Sequence, residues 1–404
     1  MEQIEIQMED EDRYSRLRLI PWWNQQKLKD AVVMVVGAGA IGNEILKNLA
    51  LLGVGTILIV DMDRIENSNL SRAVLYRESD EGTLKAEAAA RQVMMINPDV
   101  KAIAINGSII TDVGTGFFRH VDLVLGGLDN REARLAINQK CWKTNTPWID
   151  GAIEVFQGFA RVFVPPESAC YECTMSETDY HLLNYRKSCS LLTRKDMLEG
   201  KVPTTPTTAS VIAGIQVQEA VKIIHGDEAL QPLKGSGIVF NGLTHDTFQV
   251  TYTRKKDCLS HETWDQVTEL NWGVGSTTLS EITALIREKL SPKAVLETDL
   301  EILLESVCHC GCRQSFFRPL ITVSEDETIC PQCASEQELV MTHCFTGEED
   351  FAHRTLSSLG FAPGEVFKGR HQNQTIYLEM TQDIDLLLNP VPKEDLHERT
   401  TAKA

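Results

Sequence analysis

Gly37, Gly39 and Gly42 follow the apolar run 31–36 as G-x-G-x-x-G, and Asp61 closes the next apolar run, 56–60. Glycines let backbone amides approach a phosphate closely, and a helix start behind them offers unpaired N–H groups. An acidic residue at the end of the second strand takes ribose hydroxyls. Alone, this fingerprint is a dinucleotide-fold signal and more often means nicotinamide or flavin binding. The polar residues that follow point elsewhere: Asp61 and Asp63, then Asn67, Asn69 and Arg72, then Lys85 in GTLKAEAAARQVMMINP. Hydride transfer has little use for that density of charge. A triphosphate with magnesium uses it, with Arg and Lys against phosphate oxygens and a carboxylate on the metal.

These residues need a scaffold, and the apolar periodicity supplies one. Helical spacing covers 41–52, 84–95, 112–119 and a stretch from Arg131, interleaved with short apolar runs at 56–60, 100–105 and 123–125. That alternation predicts an α/β fold with a Rossmann-like, mostly parallel sheet. Such a sheet delivers the ends of its strands, here Asp61 and Asp129 of GGLDN, to one edge. Asp129 or Asn130 caps the helix that follows. Residues 148–164 read as two antiparallel strands, 209–224 as a long helix and 250–253 as a strand. Arg13 and Arg16, in DRYSRLRLIPWW, sit on a short amphipathic helix.

DMDRIENSNLSR, the Lys85 segment and LDNREARLAIN resemble the adenylation domain of ubiquitin-activating enzymes. Bacterial sulfur-carrier adenylyltransferases of molybdopterin and thiamine synthesis share that domain. The likeness covers about residues 12–261, and Ala73 departs from it where the family often has Gln after the Arg. It implies a member of the ThiF superfamily, of the compact, homodimeric, bacterial type. Gly37, Gly39, Ala40, Gly42, Asp61, Asp63, Asn69, Arg72, Lys85, Asp129 and Asn130 would then hold ATP, with Mg²⁺ on Asp129. Arg16 would reach across the dimer interface onto the phosphates, although Leu17 replaces the Gln of RYSRQ.

The cysteines divide by spacing. Cys170 and Cys173 form a C-x-x-C that needs a second pair to close a zinc site. The family supplies that pair late in the domain, where this chain has Cys258 and His261, so the resemblance implies a structural Cys₃His zinc. Cys189, in RKSCS, is left over. Arg186 and Lys187 would favour its thiolate. In ubiquitin-activating enzymes a cysteine in this region takes the activated carrier as a thioester. Cys141, on an amphipathic helix, reads as an ordinary core residue.

A composition shift near Leu259 reads as a linker into a smaller α+β domain, which opens with a helix at 279–290. There Cys308, Cys310 and Cys312 face Cys330 and Cys333 across a β-type insert, which reads as a zinc ribbon. Any two of the first three complete the set; Cys308 with Cys310 is preferred because Gly311 suits the turn after the ligand. The expected organisation is an acidic tail at 1–11, an ATP-binding domain at 12–265 with a crossover at about 174–208, a zinc-ribbon recognition domain at 266–383 and a tail at 384–404.

The chain has 404 residues, 43% of them hydrophobic and 24% charged, with a formal net charge of −18. That sign disfavours nucleic acid and anionic membranes. No apolar run approaches the ~20 residues of a membrane span, and the acidic N-terminus lacks a leader pattern. Eleven cysteines, several in close pairs, suit metal binding in a reducing compartment, so the cytoplasm is expected. The leading function is adenylation of the C-terminal glycine of a ubiquitin-like carrier, then thioester transfer to Cys189 and hand-over to a conjugating enzyme. The alternative is a sulfur-carrier adenylyltransferase, which shares the first step. A non-catalytic nucleotide-binding scaffold predicts a broken phosphate site, yet Arg72, Lys85 and Asp129 are all present.

Overall fold

The computed structural model describes residues 11–180 and 203–389, which divide into two compact units. The first comprises 11–109, 120–175 and 203–262, the second 110–119, 176–180 and 263–389. Among the described residues, no helix is long and apolar enough to cross a membrane.

In the first unit, α1 (Gln25–Asp30) leads into β1 (Val32–Val36), α2 (Ala40–Leu52), β2 (Thr56–Val60), α3 (Lys85–Ile96), β3 (Lys101–Ile105), β4 (Leu123–Gly126) and α4 (Arg131–Thr144). Then come β5 (Trp148–Glu154), β6 (Gln157–Phe163), α5 (Pro206–His225), β7 (Ser236–Asn241) and β8 (Asp246–Thr251). The strands form an eight-stranded sheet ordered β3-β2-β1-β4-β5-β6-β7-β8. The first five run parallel, and β6, β7 and β8 pair antiparallel. The register pairs Val36 with both Val60 and Gly126, so β1, β2 and β4 end level. β1 and β2 are buried along nearly their whole length, as a sheet covered on both faces requires.

The second unit holds β9 (Val267–Leu270), α6 (Leu279–Lys289), β10 (Val295–Val307), β11 (Arg313–Pro319), β12 (Glu338–Phe345), β13 (Val366–His371), β14 (Gln374–Met380) and α7 (Thr381–Leu388). Its sheet runs β11-β10-β13-β14-β9, with β12 on the other side of β10. Leu279, Ile282 and Ile286 of α6 pack with Leu296, Phe345, Phe367 and Leu378 as its core.

Several expectations are corrected. The helix expected at 112–119 is a 3-10 turn, Thr115–His120. The Gly114 and Gly116 amides bond to the Pro363 and Gly364 carbonyls instead of an upstream turn. The segment therefore belongs to the second unit, inside the sequence of the first. The linker after Leu259 contains β9, which pairs parallel with β14 more than a hundred residues later. Arg16 precedes a 3-10 turn, Leu17–Leu19, and is not on an α-helix. The strand expected at 250–253 is β8, four residues earlier at its start. A tail beginning at 384 would cut α7, whose Ile384 is buried.

Candidate functional site

The level ends of β1, β2 and β4 bring the glycine loop, Asp61 and the Asp129 segment to one edge of the sheet. Gly37 has φ +90°, and a Cβ there would lie 2.6 Å from the Gly127 carbonyl oxygen. A Cβ on Gly42 would lie 1.8 Å from the Gly37 oxygen, so both positions require glycine. α2 begins after Gly39 with no side-chain cap, which leaves its first amides for an anion. Asp61 holds the loop from the next strand: its Oδ2 accepts from the Ala38 amide at 2.7 Å and its Oδ1 from the Asp63 amide at 2.8 Å. Burial pushes the Asp61 carboxyl up, and the charge of Lys85 pulls against that rise.

Lys85 opens α3, and its Nζ lies 2.8 Å from Asp63 Oδ2, at a site where the lysine is largely buried. Arg72 donates to the Ser68 carbonyl at 2.7 Å, which anchors its guanidinium to the 3-10 turn Asn67–Asn69. Asn69 Oδ1 accepts from the Glu66 amide at 3.0 Å. Asn130, not Asp129, caps α4: its Oδ1 accepts from the Ala133 amide at 2.8 Å. The exposed Asp129 carboxylate thus takes no part in capping the helix, and an exposed carboxylate at a strand end is the hard oxygen donor that magnesium takes. Arg16 is exposed and has no partner among the described residues. Arg13 donates to the Ile96 carbonyl at 3.2 Å. Cys189, Arg186 and Lys187 lie outside the described residues.

Sequence reasoning missed the residues that brace this edge. Asn43 is fully buried and donates to the Ala38 and Gly39 carbonyls. Tyr76 Oη donates to the Ala38 carbonyl at 2.7 Å. These bonds hold the Ala38 and Gly39 carbonyls to side chains of α2 and of the segment after Arg72. The signal was a polar Asn on an otherwise apolar helix face, where it must find partners. Tyr14 anchors the Arg13–Arg16 stretch: it is buried against Gly53, and its Oη accepts from Asn97 at 2.7 Å.

Among the described residues, two groups of metal-ligating side chains form, each with its ligand atoms within 4.8 Å of one another. In the first unit these are Cys170, Cys173, Cys258 and His261, with Cys170 Sγ 3.5 Å from Cys258 Sγ and Cys173 Sγ 3.4 Å from His261 Nε2. In the second they are Cys308, Cys310, Cys330 and Cys333, with pairs at 3.3 and 3.6 Å. Tetrahedral zinc with ~2.3 Å bonds to sulfur puts ligand atoms about 3.8 Å apart, so both sets fit it. A hydrogen bond from Cys170 pulls the Cys258 thiol down to about 7, and the Cys333 amide leads in pulling Cys330 down to about 6. Burial and Arg254 push His261 down, which favours the neutral ring that ligates. Its ring stacks on Trp142 at 5.5 Å. Gly311 has φ +92° in the turn after Cys310. Cys141 is fully buried, and burial pushes its thiol up.

A glycine loop and two acidic strand ends at one edge of a parallel sheet define a nucleotide-binding fold. Residues 12–260 match the ThiF family, and the chain belongs to it. It is similar to the sulfur carrier protein adenylyltransferase of Thermus thermophilus, 30% identical over 264 residues, 62% of this chain and 90% of that protein. It is also similar to the NEDD8-activating enzyme E1 catalytic subunit of Caenorhabditis elegans, 40% identical over 174 residues, 39% of this chain. That match spans only 40% of the worm subunit's length. Among solved structures, E. coli MccB with ATP matches at TM-score 0.51 and 25% identity, over 63% of this chain and 75% of MccB.

Proposed function

We propose that this protein adenylates the C-terminal glycine carboxylate of a ubiquitin-like carrier, takes the carrier onto Cys189 as a thioester and passes it to a conjugating enzyme. The observation that carries the first step is the glycine loop and the Asp129 segment at one sheet edge, with Lys85 paired to Asp63 and the exposed Asp129 carboxylate left out of the α4 cap, 3.4 Å from the Asn130 side-chain nitrogen. A carrier carboxylate oxygen attacks the α-phosphorus of ATP. The new P–O bond forms as the bond to pyrophosphate breaks, and the acyl adenylate remains. The α2 amides and Lys85 hold phosphate oxygens where negative charge grows, and Arg72 holds the leaving pyrophosphate. Arg16 serves the partner subunit of a homodimer from its exposed turn. Asp129 would hold Mg²⁺, which neutralises phosphate charge when bound. The Cys189 thiolate then attacks the acyl carbon and releases AMP.

Zinc in the two cysteine groups is structural on this reading, because four protein ligands leave no open position. The second unit is the recruiting module. Its residues 263–389 carry 20 acidic and 8 basic side chains, which suits a partner with a basic face. A sulfur-carrier adenylyltransferase, which stops at the adenylate, is the second reading; the 90% coverage of the Thermus relative favours it.

The test combines carrier-dependent ATP–pyrophosphate exchange with non-reducing gels of wild type and Cys189→Ala, using a candidate carrier that ends in glycine. Exchange in both proteins and a thiol-sensitive adduct in wild type alone support the full sequence. Exchange without an adduct leaves the second reading. No exchange with any carrier removes both.

A further inference from the structure

We propose that Arg134, Asp150 and Arg161 form a buried relay that positions Asp129, running from the Cys170–Cys173 knuckle to the nucleotide edge. The inference rests on the assignment of Asp129 made above. Arg134 and Arg161 are positioning residues on this account and touch no substrate.

Asp150 of β5 is fully buried, and the register sets it beside Gly126 at the end of β4. Its Oδ1 accepts from Arg134 Nε at 2.8 Å, and its Oδ2 accepts from Arg161 Nε at 3.0 Å. Two guanidinium groups against one carboxylate bury an excess positive charge. Buried ion pairs are a poor source of stability, since apolar side chains of similar volume often do as well. The placement therefore asks for another reason, and the remaining hydrogen bonds supply it. Arg134 Nη2 donates to the carbonyl of Leu128, the residue before Asp129, and to that of Gly151 at 3.3 Å. Asn130, the residue after Asp129, is fixed as the cap of α4. Asp129 is thus held from both sides.

At its other end Arg161 lies over the Tyr171 ring, 5.0 Å from the centroid, and 3.5 Å from Thr174 Oγ1. Tyr171 sits between the two knuckle cysteines, and Thr174 follows them. The Tyr171 amide donates to Asn138 of α4 at 2.9 Å, so the knuckle is tied to the same helix. Gln216 of α5 donates to the Gly126 and Ile149 carbonyls at 2.9 and 3.2 Å and closes the floor beneath the relay. The contacts run between neighbouring groups that are buried or half-buried, which is the physical route such coupling needs.

The test measures Mn²⁺ binding in the presence of ATP by electron paramagnetic resonance on the whole protein, with no carrier, alongside zinc content and ATP affinity without divalent metal. Arg134→Lys keeps a charge for Asp150 but cannot also reach Leu128. It is expected to weaken Mn²⁺ binding about tenfold, the low end for loss of an outer-shell partner. Metal-free ATP affinity and zinc content stay as in wild type. Arg161→Lys shifts Mn²⁺ affinity in the same direction. Asp150→Asn, which removes the charge and one of the two acceptor oxygens that hold Arg134 and Arg161, serves if Arg134→Lys does not fold and should give the same shift. A folded Arg134→Lys or Asp150→Asn with wild-type Mn²⁺ affinity overturns the relay. If Asp129→Asn weakens Mn²⁺ binding and the relay variants do not, the relay alone falls. If Asp129→Asn has no effect, both the relay and the Asp129 assignment fall.

Discussion

Asn43 Oδ1 accepts a hydrogen bond from the Leu75 amide at 2.9 Å in the interior of the first unit. The same side chain donates to Ala38 at 2.7 Å and Gly39 at 3.0 Å, so one residue joins the glycine loop to the segment after Arg72. Asn43→Ala leaves these buried groups without their partner. It should cost about 3 kcal/mol in urea unfolding and weaken ATP binding. Wild-type stability would contradict the brace.

Lys85 pairs with Asp63, whose side chain is 57% exposed. Such a pair contributes about 0–1 kcal/mol, so Lys85→Ala should barely change the melting temperature. Its carrier-dependent pyrophosphate exchange should fall about 10²-fold or more, as with loss of one oxyanion donor. Parallel melting and exchange assays separate the two effects.

The two ligand groups predict two zinc equivalents per chain by elemental mass spectrometry. Cys258→Ser and Cys330→Ser should each remove one. Chelation should lower the melting temperature, because zinc affinity adds to folding free energy. Retention of both equivalents in either variant would refute the ligand assignment.

Burial would push the Asp150 carboxyl up, but Arg134 and Arg161 outweigh it and hold the group below its ordinary 3.8. A carboxyl depressed on folding adds stability above 3.8 that is lost as pH falls through the folded value. Asp150→Asn should be destabilised at neutral pH by about 3–5 kcal/mol, as for one member of a buried pair. It should also lose the part of acid unfolding below 3.8 that this group drives. Acid titration of both proteins by circular dichroism measures the difference.

Glu379 of β14 is fully buried against Arg119, which comes from the segment 110–119. Arg119→Met should destabilise the second unit by about 3–5 kcal/mol and speed hydrogen exchange in β13 and β14. For the same reason, residues 263–404 expressed without 110–119 should fold poorly.

Local patterns were enough for much of the outcome. The G-x-G-x-x-G run and the alternation of apolar strands with amphipathic helices specify a Rossmann-like α/β unit, and each C-x-x-C spacing marks one half of a ligand group. Each depends on residues a few positions apart, where sterics and periodicity act directly. The side chains that brace the glycine loop and the Asp129 segment were not legible. Asn43, Tyr76 and the Arg134–Asp150–Arg161 set take their meaning from partners on other elements. The same limit explains β9, a four-residue strand fixed by β14, and the 115–120 turn, whose amides bond to Pro363 and Gly364. By itself the sequence determined the glycine loop at the edge of the first sheet and one C-x-x-C pair of each ligand group, and it left the choice among Cys308, Cys310 and Cys312 open. The tertiary structure decided what holds them there, because a buried hydrogen bond or ion pair is chosen by which distant groups packing brings within about 3 Å.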